Sequence, residues 1–92
     1  MSSPASQRYE GSFLGAAADV TVSVIPFPPQ AIQFISESAG VYGMKTYAMP
    51  GNEYVSQLGA DTGITLTESG FVAANGADVN VNGSRTHYIA LG

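Results

Sequence analysis

The chain has 92 residues, which leaves room for a single domain. It carries three basic and seven acidic residues, no cysteine, and 11% charged against 45% hydrophobic residues. That excludes a disulfide or thiolate-metal scaffold. It also argues against a nucleic-acid partner, because Arg8, Lys45 and Arg85 form no basic cluster.

The same numbers bear on stability and partners. A domain this short has a thin core, and its stability is expected on the order of 5–10 kcal/mol. Small scaffolds without staples lean on oligomerisation. A surface poor in charge suits lying against neighbours. No apolar run approaches the ~18–20 residues needed to span a bilayer, so no membrane partner is expected. The apolar run ending at Ala16, Ala17 and Ala18 is too short for a signal peptide and follows Glu10. The expected site of synthesis is therefore the cytoplasm.

Residues 1–7 are polar and read as an extended N-terminal arm, with one β domain over residues 8–92. Residues 19–25 alternate apolar and polar with period two, as a half-buried strand does. Pro26, Pro28 and Pro29 end that strand, because proline cannot donate to a ladder. Residues 31–36 form a second strand, nearly continuous in apolar side chains. Met44 to Met49 is strand-like between Gly43 and Gly51, and residues 52–58 allow a helical turn. Strand patterns return at 63–67, 71–73, 78–81 and 84–91.

The predicted fold is all-β: a small antiparallel β-sandwich or partly closed barrel of six to seven short strands. Asn82-Gly83, between two strand-like runs, predicts a type I′ hairpin turn. That turn would pair Val79 with Thr86 and Asp78 with His87.

Few residue patterns point to chemistry. Residues 78–83 match the first half of a calcium loop, but the twelfth position is Ile89 where a bidentate glutamate is needed. His87 is the sole histidine, and no nucleophile-elbow motif accompanies it. The seven carboxylates fall mostly in predicted turns. No catalytic residue, cofactor or metal is therefore expected. The tyrosines are more suggestive, since each offers a stacking face and a hydroxyl. Tyr42, Tyr47 and Tyr54, with Met44 and Met49 beside them, form the candidate interface.

The order of the pieces resembles a small β module of tailed-bacteriophage virion proteins. The pieces are Tyr9-Glu10-Gly11, the strand 20–25, the Pro-containing turn 26–31, Gly70-Phe71, and the closing run from Val79 through Asn82-Gly83 to Tyr88. The likeness covers about two-thirds of the chain and leaves out residues 40–58. It implies a non-enzymatic virion component: a capsid decoration (cement) protein that docks on the capsid. Its implied partners are the major capsid protein or another virion protein, and further copies of itself, with a trimer among the forms to expect. The alternative it implies is a tail-tip or fibre module that meets a host glycan or receptor through Tyr-rich loops.

Overall fold

The computed structural model describes residues 7–38 and 40–92; of the predicted arm, only Gln7 falls among them. The described chain forms nine strands and no helix: β1 (Arg8–Leu14), β2 (Val20–Val22), β3 (Ala31–Ser36), β4 (Tyr42–Thr46), β5 (Glu53–Ser56), β6 (Gly59–Thr62), β7 (Ile64–Thr67), β8 (Gly70–Ala73) and β9 (Arg85–Leu91). They make two antiparallel sheets. One has six strands in the order β1-β9-β3-β4-β5-β6; the other has three in the order β2-β8-β7. Neither closes on itself, so the architecture is an open β-sandwich rather than a barrel.

Period two explains how the sheets meet. In β3, Ile32, Phe34 and Ser36 point inward while Gln33 and Ile35 point out. In β9, Thr86, Tyr88 and Ala90 point inward. Phe71 of β8 sits opposite them with ring centroids 5.1–5.7 Å from those of Phe13, Phe34 and Tyr88, all at edge-on angles. Edge-to-face aromatic pairs of this kind contribute about 0.5–1.5 kcal/mol each beyond their burial. Ile25, Phe27, Ile64, Ala73, Ala77 and Val79 complete the core.

The described strands number nine against the six to seven expected, and four predicted elements differ. The run 19–25 is a strand only over Val20–Val22, before the prolines, and the strand expected at 44–49 lies at Tyr42–Thr46, with 47–49 in the turn that follows. Residues 52–58 form β5 and its following turn rather than a helical turn, because Tyr54 and Ser56 alternate inward with Glu53 and Val55 outward. Residues 78–81 are not a strand. Both flanks of β9 are occupied, by β1 over seven residue pairs and by β3 over six, so no ladder position remains for a hairpin partner. Val79 and Asn80 are buried side by side, which a half-buried strand does not allow.

Asn80 ties this irregular connection down. Its Oδ1 accepts from the Ala16 N–H at 2.9 Å, and its Nδ2 donates to the carbonyls of Ala18, Ala73 and Ala74 at 3.0–3.3 Å. The Thr86 hydroxyl donates to the Val79 carbonyl at 2.8 Å. Asn82-Gly83 does form a turn, with the Ser84 N–H donating to the Val81 carbonyl at 3.0 Å. Only Gly83 has positive φ (+81°), and Asn82 does not, which matches type II rather than type I′.

Gly83→Val is therefore expected to destabilise the fold by roughly 1–3 kcal/mol, since a β-branched residue is strained at that φ. Gly76 also has positive φ (+89°), so Gly76→Ala is expected to cost a comparable amount, about 1 kcal/mol. Urea melts of the two variants check both. Unchanged melting of Gly83→Val would remove the turn from the account.

Candidate functional site: the open face of the six-stranded sheet

The three-stranded sheet and the connection from β8 to β9 together cover one face of the six-stranded sheet. The other face is open, and it collects the apolar side chains that alternation sends outward. Across the strands, one row runs Glu10, Ile89, Gln33, Met44, Val55 and Ala60; the next runs Ser12, His87, Ile35 and Tyr42. Ile35 is 64% exposed, Tyr42 56%, and Met44 and Val55 just over 40%. Ile35 and Gln33 line two depressions at once. One, of about 420 Å³, lies toward Ser12, His87 and Ile89; the other, of about 340 Å³, lies toward Tyr42, Met44 and Val55. Ile35 is thus a ridge between two hollows.

The five predicted interface residues divide. Tyr42 and Met44 stand together on this face. Tyr47 is exposed in the turn after β4, and Met49 is half-buried in the same turn. Tyr54 is 1% exposed and points inward, so it has no surface to offer a partner. Ile35, Val55 and Ile89 belong to the patch and were absent from the prediction. The signal for Ile35 was the alternation of Ile32, Phe34 and Ser36, masked by an apolar residue in the outward slot.

Beneath the patch, buried polar groups fix β4, β5 and β6. Lys45 is 1% exposed, and its Nζ donates to the carbonyls of Met49, Gly51 and Glu53 at 2.6–3.2 Å. Burial lowers its pKa, partly offset by the Glu53 carboxylate. The Tyr54 hydroxyl donates to Asp61 Oδ2 at 2.7 Å, and the Asp78 N–H donates to the same oxygen at 3.1 Å. Ser56 Oγ donates to Asp78 Oδ2 at 2.6 Å. Burial, reinforced by the hydrogen bond to Asp61, pushes the Tyr54 pKa far above its usual value. Burial alone would raise Asp61; the Tyr54 hydroxyl and the N–H groups of Asp78 and Thr62 outweigh it and hold the carboxyl below its usual value.

His87 does not meet Asp78. It faces the open side, where Nε2 lies 2.7 Å from Glu37 Oε2, with both side chains more than half exposed. Ser12 stands directly across from His87, but its hydroxyl accepts from Arg85 Nη1 at 3.0 Å. Among the described residues, no three His, Asp or Glu side chains are grouped closely enough to hold a metal ion. The half-matching calcium segment spends Asp78 and Asn80 on the internal bonds above.

Comparison of the chain with protein-family models, curated proteins and solved structures finds no match.

The polar network gives a pH dependence of known sign. Tyr54 has a folded pKa raised above its unfolded value near 10, so its stabilisation is complete below pH ~10 and is lost as pH rises above that. The Val79 N–H donates to the Tyr54 hydroxyl at 3.4 Å, so Tyr54→Phe takes this hydroxyl from both Asp61 and Val79, and is expected to cost about 1–2 kcal/mol at neutral pH. Its deficit relative to the native chain should shrink as pH climbs past 10. Lys45, with a lowered pKa, acts in the opposite direction in both proteins and cancels in that difference. Urea melts of both proteins between pH 7 and pH 11 check this; a constant deficit would show that folding does not hold the Tyr54 hydroxyl in its protonated form.

Proposed function

We propose that the chain is a non-enzymatic virion structural protein, a capsid decoration protein that docks on the major capsid protein through the open face of its six-stranded sheet. The observation that carries the docking part is the contiguous outward patch of Ile35 and Tyr42 in one row with Met44 and Val55 in the adjacent row, on one side of the domain. Contiguous exposed apolar surface on a small domain marks an interaction site more often than scattered exposure does. The face is also nearly neutral. Arg8 and Arg85 stand against Glu10, Glu37 and Glu53 there, while Asp19, Asp61, Glu68 and Asp78 lie elsewhere. Apolar surface with little net charge suits close packing against a large, flat partner. The virion part of the reading rests on the resemblance of the strand-and-turn order to phage β modules.

The second reading, a tail or fibre module binding a host glycan or receptor, is favoured by Tyr47, which is 72% exposed in the β4–β5 turn. Copy number separates the two. A decoration protein coats the capsid in many copies per particle, whereas a tail component is present in few.

The docking face is tested with Ile35→Asp and Met44→Asp in a capsid-binding assay. Each is expected to lower affinity about tenfold or more, because an apolar contact of about 1.5–3 kcal/mol is replaced by a buried charge. Thermal melting should change little, since both side chains point to solvent. Val24→Asp, at an exposed apolar residue in neither strand row, is the control. Equal binding by all three variants would remove this face from the docking argument.

A further inference from the structure

The four edges of the two sheets are unequal. β6 is four residues long and turns Asp61 inward, β2 is three residues long and is followed by prolines, and β7 is four residues long. Short strands, inward charges and nearby prolines are the usual protections of an edge. β1 has seven residues and turns no charged side chain inward; its charges, Arg8 and Glu10, are exposed.

Its backbone phase can be read from the hydrogen bonds at its two ends. The Gly15 N–H donates to the Ser84 carbonyl at 2.8 Å, and the Gly92 N–H donates to the Gln7 carbonyl at 3.0 Å. With the register Arg8↔Leu91 to Leu14↔Arg85, the odd-numbered residues of β1 use their N–H and C=O groups on β9. The even-numbered residues, Arg8, Glu10, Ser12 and Leu14, direct theirs the other way. Among the described residues, none of these even-numbered groups has a backbone partner.

We infer that this edge pairs with β1 of a second copy of the chain, antiparallel and two-fold symmetric about Gly11. The centre is chosen by the sequence of the strand. Centring on Glu10 would set that carboxylate against its own image, and centring on Ser12 shortens the overlap. Centring on Gly11 overlaps all seven residues and places a glycine opposite a glycine. That pair is a non-hydrogen-bonded one, where Cα atoms approach to about 4.5 Å, so Gly11 brings no side chain of its own to the axis; on the inner face the Tyr88 hydroxyl lies over each Gly11. Arg8 then pairs with the partner's Leu14, and Glu10 with the partner's Ser12. About eight backbone hydrogen bonds result, two for each hydrogen-bonded pair.

Charge complementarity supports the same register. Ser12 Oγ is held by the Arg85 guanidinium at 3.0 Å. A Glu10 placed across from Ser12 therefore faces a cationic group, and the two-fold axis makes this contact twice. Glu10 is exposed and reachable, its other partner being Arg8 at 2.9 Å on the surface. Pairing joins two six-stranded sheets into one, whose free ends are the two short β6 strands. Growth therefore stops at the dimer. The contact concerns the isolated chain and does not depend on the capsid reading; the open faces of both copies stay uncovered.

Sedimentation velocity on the full chain tests the inference, with Ser12→Pro and Arg85→Glu as variants. The native chain is expected as a dimer at about 100 µM, with a dissociation constant in the micromolar range set by the short contact. Proline at 12 removes an edge-facing N–H that β9 does not use, and should leave a monomer. Arg85→Glu changes an exposed side chain and sets a carboxylate near the partner's Glu10. It should weaken the dimer about tenfold or more even if the proline variant fails to fold. A native chain that stays monomeric at that concentration overturns the inference. So does dimerisation of Arg85→Glu with native affinity.

Discussion

The two sheets differ in width, and the rest of the fold answers that difference. Strands lie about 4.8 Å apart, so six of them span about 24 Å and three about 10 Å. The smaller sheet can cover the aromatic centre around Phe71, but not the inner surface of β4, β5 and β6 as well. That remainder is closed by the connection between β8 and β9, which lays Ala77 and Val79 into the core. A chain segment without strand partners must satisfy its backbone by other means. Asn80, Thr86 and the pair Tyr54–Asp61 supply them, bonding the Ala74 and Val79 carbonyls and the N–H groups of Val79 and Asp78. No buried side-chain nitrogen or oxygen among the described residues is left without a partner. The cover is therefore built from specific hydrogen bonds, while the other half of the core is built from aromatic packing.

This division explains what could be read from the sequence and what could not. β3 was legible to the residue, and β7, β8 and β9 nearly so, because alternation and flanking glycines or prolines act locally. β5 and β6 were not, since Glu53 to Thr62 offers only short, mixed stretches whose pattern emerges when Tyr54 meets Asp61 across the hairpin. The run from Asp78 to Val81 misled for a physical reason. Its alternation is genuine, but β9 already had two longer partners, and ladder competition is a property of the whole sheet.

The candidate site was half legible on the same grounds. Tyr42 and Met44 drew notice as residue types, and the sheet placed them on the open face. Tyr54 drew notice for the same reason, yet its position in β5 sends it inward to a carboxylate. Ile35 looked like core, since isoleucine in an apolar strand usually is; only the register with β4 and β9 shows it standing outside between Tyr42 and His87. Side-chain identity names candidates, and strand parity decides among them.

Lys45 has one more consequence. It is the sole lysine of these 92 residues, and its amine is enclosed by three carbonyls on the inner side of β4. In the folded chain, no lysine side chain is presented to an amine-directed reagent, to trypsin or to a modifying acetyltransferase. The cage must open before any of them can act. The side chain is thus a built-in gauge of how often the β4–β5 turn parts from the sheet: its rate of acylation counts those openings one molecule at a time.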